Sequence, residues 1–136
     1  MSGEVFLDTD VLVYATAKTD PRAEIATALI AKGGTISVQV INEFANIARR
    51  KLNWPWPEVV EALAAFRVLC SEPLPIGVAT HEAALEIARR DGLGFYDALI
   101  VASALEAGCS TLLSEDMQDG RTIAGLLTIR NPFAQV

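Results

Sequence analysis

Cysteine and histidine are scarce in this chain of 136 residues, which carries two of the first and one of the second. Cys70 and Cys109 stand in apolar surroundings with neither a CxxC nor a Cys/His spacing. A thiolate metal site is therefore excluded, and both read as small buried hydrophobes. His81, near the start of a helix of mixed sequence, reads as a surface or capping residue rather than a catalytic one. No run approaches the ~20 apolar residues of a membrane span. The opening "MSGEVFLDTD" lacks a basic region followed by a long apolar one, so no signal peptide is expected and the protein is expected to be soluble and cytoplasmic. Pro, Gly and Ser are scattered, and neither a low-complexity tract nor an internal repeat is present. About half of the residues are hydrophobic, enough for one core, and a single domain over residues 1–136 is expected. Basic residues are outnumbered eleven to seventeen, for a net charge of −6. That balance opposes affinity for a polyphosphate unless several of the acids hold divalent cations.

What is present alternates. "EVFLD" reads as a short strand, "TDVLVYATAK" as a helix, and "DPRAEIATALIAKGG" as another with Pro21 near its first turn. The largely β-branched "TISV" predicts a second strand, and "QVINEFANIARRKL" a helix with apolar residues at helical spacing. "WPWP" breaks the chain. "PEVVEALAAFRVLC" and "VATHEAALEIARRDG" are then helices flanking the short extended "EPLPI". "FYDALIVASALEAG" is a nearly all-apolar helix stopped by Gly108, followed by strands in "STLLS" and "LLTIRN". Strands alternating with helices predict an α/β layer fold with a mainly parallel sheet.

In open parallel sheets ligands sit beyond the carboxyl ends of the strands. Asp8 and Asp10 follow the first strand, and Asp116 and Asp119 follow "STLLS", so both pairs fall at one edge if these strands are neighbours. Glu43 lies one turn from Val40 and from Ile47, beside the inward stripe of its helix. Asp97 opens the apolar helix. Each has a plainer reading. Asp8 and Asp10 could cap the following helix, as Asp20 could the next. Asp97 could answer its helix dipole, Glu43 could be a surface residue, and Glu115 and Asp119 could belong to a polar turn. Independent caps have no reason to gather at one sheet edge, and carboxylates gathered there need cations.

The chain resembles a PIN domain, in particular the VapC-type ribonuclease toxins of bacterial toxin–antitoxin pairs. The likeness runs through "VFLDTDVLVYA", "NEFANIA", "GFYDALIVASALEAG" and "TLLSEDMQDG", in that order and spacing. It implies a three-layer α/β/α fold with a mainly parallel central sheet. It also places Asp8, Glu43, Asp97 and Asp116 on the family's four acidic positions, Ser114 on its small hydroxyl position, and Asp119 on a frequent additional acid. Asp10 stands where Asn is often found, so whether it adds a ligand or caps the helix is open.

Oxygen donors without a His or Cys partner suit Mg²⁺ or Mn²⁺ rather than zinc. One or two such ions would activate water for in-line attack on a phosphodiester. The expected activity is metal-dependent endoribonucleolytic cleavage which, by the resemblance, leaves a 5′-phosphate and a 3′-hydroxyl. A rival comes from "FLDTDVLV", which also resembles the opening of haloacid-dehalogenase-type phosphatases, with Asp8 as nucleophile and Asp10 as acid. That chemistry needs a downstream lysine, whereas Lys18, Lys32 and Lys51 all lie far from the later acids, and Glu43 and Asp97 would have no role. A third reading is a PIN-like module that only binds a partner.

The expected partners are RNA, a VapB-like antitoxin and a second copy of the chain as homodimer. The antitoxin is expected to inhibit by setting an arginine against the carboxylates. By the resemblance, the helices around "WPWP", with Trp54 and Trp56, form the groove that accepts the antitoxin. Arg49, Arg50, Lys51, Arg89, Arg90 and Arg121 are either flanking cations for RNA phosphates or ordinary solvated charges.

Overall fold

The computed structural model describes residues 5–135. In it the parallel sheet is short and its helices carry most of the chain. Four strands, β1 (Val5–Leu7), β2 (Thr111–Leu113), β3 (Thr122–Ile123) and β4 (Leu127–Arg130), lie in the order β1-β2-β4-β3. The first two neighbouring pairs are parallel and β3 is antiparallel to β4. Glu4, the first residue of the expected opening strand, lies outside the described residues. Six helices surround the sheet: α1 (Thr9–Ala15), α2 (Arg22–Ala31), α3 (Val38–Arg50), α4 (Trp56–Leu69), α5 (Val78–Asp91) and α6 (Phe95–Glu106). Together they form the mainly parallel three-layer α/β/α arrangement expected from the sequence.

The core explains why these segments fold as they do. Phe6, Leu112 and Ile129 stack across the middle of the sheet and are fully buried. Helix α6 buries every residue from Ala98 to Ala104, as an all-apolar helix must in water. Helix α3 buries Val40, Phe44 and Ala48 at i, i+4 and i+8, with Ile41 and Ala45 partly buried beside them. The Phe44 ring meets Phe66 of α4 edge-on at 5.0 Å.

The second strand expected at "TISV" is not a ladder. Thr35 donates to Val5 O and its own carbonyl accepts from Leu7, while Ile36 O accepts from Leu74. Bonds that alternate between β1 and Leu74 leave only isolated bridges, Phe6 with Thr35 and Ser37 with Leu74. Helix α3 then starts at once, with the Ser37 hydroxyl accepting from Val40 N at 3.4 Å. Strand β3 has no signal in the sequence. It is two residues long and joined to β4 through Ala124, Gly125 and Leu126, the first two at positive φ, with Leu126 N donating to Ile123 O at 3.0 Å. That is a primed hairpin turn, made here by Ala-Gly rather than the stronger Asn-Gly signal.

Candidate active site

The register of the sheet brings the first two site residues together. Leu7 lies opposite Leu113, so the next residues, Asp8 and Ser114, emerge side by side at the carboxyl edge. Asp8 N donates to Leu113 O at 3.0 Å. The Asp8 side chain is 3% exposed and both of its oxygens are engaged. Oδ1 accepts from Thr9 N at 2.7 Å, as the N-cap of α1, and Oδ2 accepts from the Ser114 hydroxyl at 2.7 Å. The capping reading of Asp8 is thus met through Oδ1, while Oδ2 faces Ser114. Burial pushes its carboxyl well above the usual range, and the Asp10 and Glu43 charges push the same way.

Asp10 caps nothing. Its Oδ2 accepts from Glu115 N at 2.8 Å and from Asp116 N at 3.3 Å, which ties the acidic loop to the first turn of α1. Its Oδ1 is buried and has no hydrogen-bond partner among the described residues. Burial raises this carboxyl too, with the Asp116 and Glu115 charges adding to it.

Glu43 sits at the edge of the α3 stripe that buries Val40 and Phe44. Oε1 accepts from the Thr9 hydroxyl and Oε2 from Gln39 Nε2, each at 2.9 Å. Asp97 lies in the first turn of α6 and makes no hydrogen bond among the described residues. Its carboxyl is raised first by burial and then by the Glu43 and Asp116 charges. Asp116 itself is exposed on the loop. Mutual repulsion therefore links Asp8 with Asp10 and Glu43, Asp10 with Asp116, and Asp97 with Glu43 and Asp116.

The other acids of the loop are placed differently. Glu115 turns away and pairs with Arg22, whose Nη1 is 3.2 Å from its Oε2. It also accepts a short hydrogen bond from the Tyr14 hydroxyl. Burial and the Glu115 contact push the Tyr14 phenol up to about 12. Asp119 is exposed and its Oδ1 accepts from Asn131 N at 2.9 Å, just past β4. Arg89 and Arg90 are paired with Glu86 and Asp91, and Arg121 also reaches Asp91. His81 is exposed with its ring 5.5 Å from that of Phe95. Both cysteines are free and buried. None of the described helices is long and apolar enough to cross a membrane.

Thr9, Gln39, Tyr14 and Arg22 were not singled out in the sequence. Gln39 could have been, since it lies four residues before Glu43, where helical side chains meet. Thr9 could have been read from the spacing of "LDTD". The Arg22–Glu115 pair spans 93 residues, and no local pattern announces it.

The donors fit a hard divalent cation in kind. They are all oxygen, and among the described residues Asp10 Oδ1 is buried without a partner and the raised carboxyls lack a positive one. Among the described residues, however, no three acids stand close enough to form a closed chelate by themselves. An ion that retains part of its water shell, as Mg²⁺ does, suits a set this open.

The fold matches known structures over nearly its whole length. The toxin–antitoxin complex from Klebsiella pneumoniae superposes with a TM-score of 0.70 at 17% identity, over 95% of this chain and 98% of that one. The sarcin–ricin loop cleaving toxin VapC20 of Mycobacterium tuberculosis gives 0.65 at 22% identity, over 82% and 89%. VapBC2 from Rickettsia felis, bound to a promoter DNA fragment, gives 0.64 at 21%, over 93% and 98%. At these identities the likeness is one of fold. No curated protein matches the sequence. The family model of the PIN domain matches residues 5–119, from the first strand through the acidic loop, and the chain belongs to the PIN domain family.

Proposed function

We propose that this protein is a metal-dependent endoribonuclease that hydrolyses RNA phosphodiester bonds, and that it is the toxin of a type II toxin–antitoxin pair. The observation that carries the reading is the set of repelling carboxylates drawn from the end of β1, α1, α3, α6 and the loop after β2, with no cation paired to them among the described residues. Asp8, Glu43, Asp97 and Asp116 would hold Mg²⁺ or Mn²⁺. When bound, such an ion offsets charge on the phosphoryl oxygens and lowers the pKa of water at the site.

The chain's own groups supply orientation. Ser114 and Thr9 N fix the two oxygens of Asp8, while the Thr9 hydroxyl and Gln39 fix those of Glu43. Asp10 holds the loop that carries Asp116 against α1. Asp97, whose side chain has no hydrogen bond among the described residues, feels the Glu43 and Asp116 charges. Burial and neighbouring charge make ionisation of these carboxyls harder, so protons compete with a cation for them and loading is expected to strengthen with pH.

The structural neighbours are toxins and toxin–antitoxin complexes, which supports a VapB-like antitoxin as partner. An antitoxin arginine set against the same acids would satisfy them bidentately and exclude the metal. A homodimer is part of the same proposal. Incubating the purified protein with structured RNAs, with Mn²⁺ and with EDTA, tests the reading. Cleavage abolished by EDTA is expected, and cleavage that persists in EDTA would overturn the mechanism.

A further inference from the structure

The four candidate acids are held in two different ways. Asp8 and Glu43 have both carboxylate oxygens engaged by hydrogen bonds, whereas the side chains of Asp97 and Asp116 accept none among the described residues. The gap between that second pair is set by their backbones, and so by whatever fastens the loop after β2 to the turn between α5 and α6. Asp116 lies on the first of these segments, and Asp97 follows the second in the first turn of α6.

The loop is fastened at both ends. At its near end the Asp10 carboxylate accepts from Glu115 N and Asp116 N. At its far end the backbone of Arg121 is tied to β4, with Ile129 N donating to Arg121 O at 2.8 Å and Gly120 N donating to Ile129 O at 2.7 Å. The Arg121 side chain then crosses to the other segment. Its Nη2 donates to the carbonyl oxygen of Asp91, the last residue of α5, and lies 3.8 Å from Asp91 Oδ1. Among the described residues this is the only hydrogen-bonded or ionic link between the loop and the α5–α6 turn. A glycine in the left-handed region marks a sharp turn at each anchor, Gly120 (φ 84°) directly before Arg121 and Gly92 (φ 70°) directly after Asp91.

Arg121 is also set apart from the arginines around it. Its side chain is 27% exposed, against 47% for Arg90 and 72% for Arg89, which pair with carboxylates of their own helix. A cation near the carboxyl end of a helix answers the dipole, but Arg89 and Arg90 already do so in the last turn of α5. The dipole alone gives no reason for a third arginine to arrive from a loop thirty residues on.

We infer that Arg121 is a positioning residue, which through Asp91 sets the loop that carries Asp116 against the helix start that carries Asp97, so that both carboxylates face one cation. The inference rests on the proposed metal-binding reading of those two acids and adds a residue that pairs with neither. The sign of the effect separates it from plainer roles. An arginine that acts only as a solvated charge, or as a contact for RNA phosphates, repels a divalent cation at the acids, so its loss should leave Mn²⁺ binding equal or tighter. An arginine that holds the acids together should, when removed, weaken Mn²⁺ binding although the surface has become more negative.

The test is titration of Mn²⁺ into the metal-free protein without RNA, followed by the loss of the free-ion signal in electron paramagnetic resonance. Arg121→Ala is expected to weaken Mn²⁺ binding about tenfold, as loss of an outer partner of a metal site does. Arg121→Lys keeps the charge and a donor, and is expected to recover part of that loss. Arg90→Ala removes a charge from the same Asp91 without touching the loop, and is expected to bind Mn²⁺ as tightly as wild type or more so. Melting curves in EDTA certify each fold. Should Arg121→Ala not fold, Arg121→Gln carries the same expectation, with weaker binding for positioning and equal or tighter binding for charge alone. An Arg121→Ala protein that binds Mn²⁺ as well as wild type would overturn the inference, and so would an equal loss in Arg90→Ala. Wild type that binds Mn²⁺ beside an unaffected Arg121→Ala removes the positioning role and leaves the metal site. Wild type that binds no Mn²⁺ removes the metal site, and the positioning role with it.

Discussion

Two groups of carboxylates meet at the loop after β2, and the molecule treats them in opposite ways. Glu115 and Asp20 converge on Arg22, which bonds Asp20 through Nε and Nη2 at 2.9 and 2.8 Å and lies over the Tyr14 ring at 4.1 Å. This group carries its own counter-charge, and Arg22 holds the Asp20 carboxyl below its ordinary value. Asp8, Asp10 and Asp97 have no such partner among the described residues, and burial holds all three above theirs. The first group is complete as folded, whereas the second stores repulsion that an added cation would relieve. Acidity alone is therefore a poor guide to a site, and the absence of a built-in cation is a better one.

The largest expected contrast is in catalysis. Asp97→Asn and Asp116→Asn should each lower RNA cleavage by at least about a hundredfold, because each removes a charge from the uncompensated group. Glu115→Gln should change it by no more than a few-fold. Initial rates with Mn²⁺ measure both. Equal losses from Asp97→Asn and Glu115→Gln would erase the distinction between the groups.

The pH dependence sharpens the comparison next. Folded-state values raised above the ordinary 3.8 of Asp8, Asp10 and Asp97 mean that the folded chain keeps protons which the unfolded chain has released. Stability is then fully present below that value and is lost as pH rises through the raised ones. Without metal, Tm should fall between about pH 5 and pH 8, and with Mn²⁺ the fall should shrink or reverse, because the cation takes the place of those protons. Thermal melts at both pH values, in EDTA and in Mn²⁺, check this. A metal-free Tm that climbs across the same window would count against the stored repulsion.

The smallest effect belongs to the neutralised group. Glu115→Gln should lower Tm by only a few degrees, and added salt should reduce the difference, since part-exposed ion pairs contribute little and are screened. A salt-independent drop would show that packing of the Tyr14 and Arg22 side chains, rather than charge, holds the loop.

Much of this arrangement was legible in the sequence, and particular residues show where legibility stops. Strand β1 with the acids that follow it, and helix α6 with Asp97 in its first turn, could be read, because apolar runs and helical spacing are local signals. The candidate acids Asp8, Glu43, Asp97 and Asp116 follow from strand ends and family likeness, and the structure adds the hydrogen bonds that hold Asp8 and Glu43. "TISV" was over-read because β-branched residues signal extension, not partners, and its partners alternate between β1 and Leu74. Strand β3 was missed because two residues carry no periodicity. Asp10 was open between ligand and cap. Its actual bonds, to the backbone of Glu115 and Asp116, join segments more than a hundred residues apart. The loop "TLLSEDMQDG" contains no basic residue, yet Glu115 is neutralised by Arg22 of α2. Long-range pairing of this kind is a property of the fold.

The most direct measurement is the thermal melting of wild type and Asp97→Asn in EDTA and in Mn²⁺. Asn keeps the shape of the side chain and removes one charge from a group that repels. The account predicts that Asp97→Asn melts at or above wild type in EDTA and loses most of the rise that Mn²⁺ gives wild type. A variant that melts below wild type in EDTA and keeps the full Mn²⁺ response would contradict it, and would reduce Asp97 to an ordinary acid at a helix start.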